Sequence, residues 1–229
     1  MSEENPFRIG WRSARANVVP MIVLCLMGCV VVFGYYHIPW FSRILDPVKD
    51  WQERFGWIAA FANRVVLCGF LPGIFILTMR EQHTPRPLLV ILAQTLLSGF
   101  CGIVSGWMFE LHAVWLGTGT DCLTVLIKTF MCQFVWTVAF FVPFGAAVYF
   151  WIVRDFSLTR VRRDWPRHPI SELLVPNLIA NWVVWIPLSL IVHLFPTALQ
   201  IQLTGLANAL LSLLLLSIGR RAGRSCSGQ

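Results

Sequence analysis

The sequence predicts an all-α, multi-pass transmembrane helical bundle of about six spans with both termini cytoplasmic. Three observations predict it. The chain is 57% hydrophobic and only 13% charged, where a soluble domain carries about 25% charged residues. Several runs of about 20 residues hold almost no charge, the length a helix needs to cross a hydrocarbon core of roughly 30 Å. The basic residues also alternate from loop to loop, dense then sparse. A β-barrel, the other spanning solution, would show alternating segments of about 10 residues rather than continuous apolar runs.

Residues 1–17 form a cytoplasmic segment, and Val18 to Tyr35 is the first span. Three arginines precede this span, as in a signal peptide, but its length and the lack of a small-residue cleavage site favour a retained anchor. Asp46-Pro47 then reads as an N-cap followed by proline at the first helical position. Val48, Trp51, Phe55 and Ile58 recur at helical steps beyond it, which predicts an interfacial helix feeding into the second span, Ile58 to Met79. The third span is Leu88 to Phe109 and the fourth Leu123 to Val153, long enough to tilt and carrying Pro143, a candidate kink. Pro72, Pro176 and Pro187 raise the same expectation elsewhere. The fifth span, Leu173 to Leu194, and the sixth, Leu199 to Ile218, are joined by a short turn at Pro196 and form an antiparallel hairpin. Residues 219–229 make a cytoplasmic tail.

Charge position sets the orientation. Arg8, Arg12 and Arg15, then Arg80 and Arg86, then Arg154, Arg160, Arg162, Arg163 and Arg167, and finally Arg220, Arg221 and Arg224 all fall on one side. The opposite side has Arg43, Lys49 and Arg54. Thirteen against three places the first set in the cytoplasm. The same distribution, tied to membrane edges, excludes nucleic acid as the partner of this net charge of +7. The lipid bilayer is the partner implied, with a second copy or another membrane protein as a further class. A bacterial-type cytoplasmic membrane is the expected location and an organelle membrane the alternative. Trp40, Trp51, Trp57 and Trp115 at one side and Trp11 and Trp165 at the other form an aromatic belt. Five of seven cysteines lie within apolar runs, so no disulfide framework is implied.

Within the spans, Gly99, Gly102 and Gly106, with Ser98 and Ser105, leave one face of the third helix almost bare, so that another helix can approach closely. Packing is the ordinary reading of such a stripe, and a permeation path the sharper one. Arg64, Lys128 and Glu110 are the ionisable groups at membrane depth, where each needs water or a partner. Lys128 and Glu110 flank one loop and could pair with each other; snorkelling to the interface is the ordinary reading of all three groups and a functional vestibule the sharper one. His37, His112, His193 and Asp121 gather towards the same end, but no two of these histidines have a local metal spacing, so no metal is assigned. Gln94, Gln133, Asn177, Asn181 and Asn208 place amides in apolar segments, where they bond to other helices or line a wet cavity. No HExxH, GxSxG, CxxC or carboxylate pair occurs in the spans, so neither an enzyme nor a cofactor is expected.

Pro176-Asn177-Leu178-Ile179-Ala180-Asn181-Trp182-Val183-Val184-Trp185-Ile186-Pro187, followed by Phe195-Pro196, resembles the signature of the Mpv-seventeen and peroxisomal-membrane-protein-twenty-two family of small multi-span proteins. Lys128 with Gln133, and Gly99-Phe100 with Gly102 and Trp107, are similar to two further segments of that family. The likeness covers roughly residues 99–216. It implies a membrane scaffold, and a weakly selective channel for small solutes or ions, as proposed for some members; the alternative is a structural or assembly protein without transport. The family's charged and amide positions are Cys132, Val183, Ser189, Val192 and Gln200 here, so the scaffold transfers better than a conduction mechanism.

Overall fold

The computed structural model describes the backbone of residues 5–78 and 86–227 and the side chains of 5–74 and 86–212. Glu3, Glu4, Arg80 and the last two residues lie outside the described residues, as do the side chains of the distal sixth span and tail. Among the described residues every regular element is helical. Five helical segments are long and apolar enough to cross a membrane: Val18–His37, Trp57–Ile74, Pro87–Leu116, Cys122–Val153 and Ile170–Val192. The sixth expected span lies inside a further helix, Thr197–Ser227. The protein is an all-α helical bundle of the membrane class.

The distribution of polarity shows why lipid is the solvent. Val19, Ile22, Leu26, Val30 and Phe33 of the first span are exposed, whereas Arg64, Lys128, Gln133, Thr137, Ser189, His193, Gln202 and Thr204 are buried. A water-soluble domain arranges these classes the other way round. With lipid outside, apolar side chains gain nothing by turning inward, and polar ones must find partners inside the bundle.

Helix α1 (Pro6–Ala16) begins where the Asn5 side chain accepts from the Phe7 amide at 2.9 Å and Pro6 takes the first turn. It packs on the fifth span, with Gly10 against Ile179 and Pro176, and buries Ala14. Helix α2 (Val18–His37) is the first span. Helix α3 (Pro39–Phe55) corrects the expected first helical position at Pro47: the helix begins eight residues earlier, at Pro39, and Pro47 lies inside it. Proline suits a first turn wherever it occurs, so Pro39 serves as well as Pro47, whose missing N–H deprives only the Arg43 carbonyl of its donor. Trp51, Phe55 and Ile58 of the apolar stripe are exposed, and Gln52 is the buried residue. Nor does α3 run into the second span. Gly56, at φ +49°, breaks the chain before α4 (Trp57–Arg64).

Three spans share one irregularity. A π-helical stretch at Val65–Phe70 links α4 to α5 (Leu71–Thr78), and another at Met131–Phe141 links α7 (Cys122–Phe130) to α8 (Val142–Val153). A third, Ile170–Leu174, precedes α10 (Val175–Val192). Each ends two residues before a proline and is followed by Leu71-Pro72, Val142-Pro143 or Val175-Pro176. In each case the residue before the proline donates to the carbonyl five residues back: Val66, Thr137 and Ile170. A widened turn makes room for the ring and leaves carbonyls free, which is how a proline span avoids a broken ladder. Helix α6 (Pro87–Leu116) overruns its expected end, because nothing breaks it before Gly117 at φ +77°. Short α9 (Leu158–Asp164) carries the basic loop, where Arg160 pairs with Asp155 and Arg154 with Asp164. Helix α11 (Thr197–Ser227) completes the bundle, and Gln200 donates to the Phe195 carbonyl at 2.7 Å across the α10–α11 turn.

Candidate functional site

Two hydrogen-bonded sets of polar side chains run through the interior. In the first, Asn63 donates to Gln202, Gln202 donates to the Gln52 side-chain oxygen at 2.6 Å, and Gln52 donates to the Gly56 carbonyl at 2.8 Å. This chain ties α3, α4 and α11 together. In the second, Gln133 on the π-helical stretch donates to the Ser189 hydroxyl of α10 at 2.6 Å, and Thr137 donates to Gln133 at 3.5 Å. The Trp182 indole donates to the Gln133 main-chain carbonyl at 2.9 Å, a group within the widened π-helical stretch. His193 meets the Ser189 carbonyl at 2.7 Å and the Thr129 hydroxyl at 3.3 Å.

The second set borders a cavity of about 330 Å³. Its wall takes Arg64 and Cys68 from the second span, Ser98, Cys101 and Ser105 from α6, and Gln133 and Thr137 from the π-helical stretch. Asn181, Trp185 and Ser189 of α10 and Thr204, Asn208 and Ser212 of α11 close it, together with apolar Leu97, Met108 and Phe141. Its size and its mixture of aromatic walls with a few converging polar groups suit a small ligand. Arg64 is only 8% exposed. It therefore does not run out to the membrane edge, and its side chain lines the cavity. Its guanidinium lies 4.0 Å from the Cys68 sulfur, and its Nε has no hydrogen-bond partner among the described residues.

A second cleft, of about 560 Å³, gathers Tyr36, Gln52, Glu53, Gly56, Glu110, Thr118, Thr120 and Pro196. Gly56, Thr118, Thr120 and Pro196 belong to the connections that follow α3, α6 and α10, so the cleft lies at one end of the bundle. An apolar cluster of Ala60, Met108, Phe109, Cys132, Val192 and Ile201 stands between the two spaces. Met108 and Phe109 line the cavity while Ile201 lines the cleft.

The sequence-predicted residues separate accordingly. Arg64, Gln133, Asn181 and Trp185 meet at the cavity, with Trp182 behind Gln133. Gly99 and Gly102 face α4 directly: a Cβ on Gly99 would sit 2.5 Å from the Phe61 ring, and one on Gly102 2.6 Å from the Ala60 carbonyl oxygen. Gly106 has ordinary room, 3.5 Å to the Ala60 Cβ. Pro187 is half-buried inside α10.

Two expectations are corrected. Glu110 and Lys128 do not pair. Glu110 is exposed at the cleft, whereas Lys128 is 2% exposed and donates to the Gly119 carbonyl at 3.5 Å. One residue is on α6 and the other is held under the α6–α7 loop, whose carbonyl is the nearer oxygen. In that loop Asp121 caps α7, and hydrogen bonds from the Thr124 hydroxyl and amide hold its carboxyl below the usual carboxylate range. Asn177 does not face other helices either: it is exposed, and its side chain donates to the Leu173 carbonyl of its own turn at 2.7 Å. His112 and His193 do come together, with ring centroids 6.1 Å apart, and both ring nitrogens of His112 lack hydrogen-bond partners among the described residues. Sequence reading missed Ser189, Thr137 and Thr204 as lining groups, because small hydroxyls in a span carry no signal of their own. No protein-family model, curated protein or solved structure matches the chain.

Proposed function

We propose that this membrane protein forms a closed pathway for small polar solutes, with the cavity as its solute site and the Met108, Phe109 and Ile201 cluster as its gate. The observation that carries the reading is the pairing of a polar cavity with a separate polar cleft across an apolar constriction. Hydrophobic constrictions stop water and solutes by dewetting, and open when they widen or become polar. The structural or assembly alternative needs a free helix face, and the glycine stripe of α6 is already occupied by α4. A purely structural bundle also has no use for a buried cation without an acid.

In the proposed topology the spans number six, the cleft faces outward, and the arginine-rich connections and both termini lie in the cytoplasm of a cytoplasmic-type membrane. The likeness of residues 176–187 to the Mpv-seventeen and peroxisomal-membrane-protein-twenty-two family supports a channel reading in the same direction. Asn181 and Trp185, two residues that carry that likeness, line the cavity.

Liposome flux tests the proposal. The parent protein passes small solutes such as glycerol slowly, and Phe109→Ala or Ile201→Ser raises the flux several-fold. Equal, background flux from the parent and both gate variants, all folded, would leave the structural alternative in place.

A further inference from the structure

The charge inside the bundle is unbalanced. Of the residues lining the cavity, Arg64 is cationic and none is acidic. Arginine keeps its charge in any protein environment. A buried cation in a membrane bundle pairs with an anion, with carbonyl groups or with water, and otherwise carries a large desolvation penalty. Among the described residues Arg64 has no ion pair, and its Nε has no partner. Asn181, another lining residue, makes no side-chain hydrogen bond among the described residues. Its amide is free to serve an incoming oxygen. Leu97, Phe141 and Trp185 supply apolar wall beside these groups.

From this we infer that the cavity is a binding site for a monocarboxylate, with Arg64 taking the carboxylate, Asn181 donating to one of its oxygens, and the apolar wall receiving the attached chain. The inference rests on the solute-pathway reading and assigns the solute class. A guanidinium presents two parallel donors that match the two oxygens of a planar carboxylate. One fixed positive charge balances one negative charge, which favours a monoanion over a phosphate dianion. The carboxylate comes either as a short free acid or as the head of a lipid chain, and both present the same group to Arg64.

Equilibrium dialysis of the purified full-length protein in detergent, with labelled butyrate as probe, tests the site. Butyrate binds at one per chain, hexanoate competes, and butyramide, which has the same shape without the charge, competes at least tenfold more weakly. Arg64→Gln lowers butyrate affinity at least tenfold, and Arg64→Lys, which keeps the charge but not the fork, lowers it less. Protection of a cavity thiol makes the test independent of whether these variants fold: in the unaltered protein, butyrate slows alkylation of Cys101 by N-ethylmaleimide and butyramide does not. Binding and protection by oleate without butyrate would keep the site and assign the carboxylate to a lipid chain. Equal binding and protection by butyramide would overturn the anion assignment while leaving a neutral-solute pathway intact. No binding by any probe, with gate variants that still raise glycerol flux, would overturn this inference alone; no binding and no flux would overturn the pathway reading as well.

Discussion

Replacing Gly102 with alanine presses a methyl group onto the backbone of a neighbouring helix. The added Cβ would stand 2.6 Å from the Ala60 carbonyl oxygen and 2.6 Å from Arg64 Cγ. The first of these is backbone of α4 and cannot rotate away, so α4 and α6 must separate. Overpacking of this kind costs about 1–3 kcal/mol, against which the helix preference of alanine over glycine returns about 0.5–1 kcal/mol. The difference, a net loss of up to about 2.5 kcal/mol, lowers the melting temperature by up to roughly 10 °C in a chain of this size. Gly106 lies one turn on along the same stripe, but a Cβ there would have 3.5 Å to its nearest neighbour. Gly145, in α8, has nothing within 4 Å. Thermal unfolding in detergent should therefore rank Gly102→Ala well below the parent, Gly106→Ala near it, and Gly145→Ala at or above it. Equal melting temperatures for Gly102→Ala and Gly106→Ala would refute the α4–α6 contact.

Gln133→Ala and Ser189→Ala should each destabilise the bundle, and a double-mutant cycle should give a coupling of about 0.6 kcal/mol, the average for hydrogen bonds between membrane helices. Zero coupling would remove the bond between the π-helical stretch and α10. Gln202→Leu strands both Asn63 and Gln52, so its loss should be about 1–3 kcal/mol, and it should exceed that of Gln52→Leu at the end of the same chain. Melting curves in detergent decide the order. Reporter fusions after Val153 and after Ile218 should read as cytoplasmic and those at Asp50 and Gly117 as external; cytoplasmic activity at Gly117 would overturn the six-span orientation.

Most of the class was legible because lipid imposes one rule everywhere: a long uncharged run must be a helix. The spans therefore sit close to their expected positions. Local signals proved less decisive, as two similar ones show. Asn5-Pro6 starts α1, which sequence reading left as a plain segment, whereas Asp46-Pro47 starts nothing because the chain is already helical from Pro39. A cap and a proline permit a helix start, and what precedes them decides whether it is used. The prolines at 72, 143 and 176 announced irregularity, but only the three-dimensional ladder shows that it takes the form of a widened turn upstream. At the site, Arg64, Gln133 and Asn181 were visible as polar groups in apolar runs. Their common cavity was not, since it depends on which side of each helix faces inward, and helices apolar nearly all round do not reveal that. The same ambiguity made Glu110 and Lys128 look like partners.

Thiol labelling tests the central claim, that the bundle encloses a polar space reachable by solute. Cys101 lines the cavity, and Cys29 is exposed on the outer face of α2, the first span. Variants keeping one of these cysteines alone, in intact liposomes, are treated with a charged, membrane-impermeant methanethiosulfonate, with Phe109→Ala added to open the gate. Cys101 should react in the gate variant, faster with the anionic than with the cationic reagent because of Arg64, while Cys29 in lipid stays unmodified. Reaction at Cys29 with none at Cys101 would contradict the account, because water would then reach the face assigned to lipid and not the space assigned to solute.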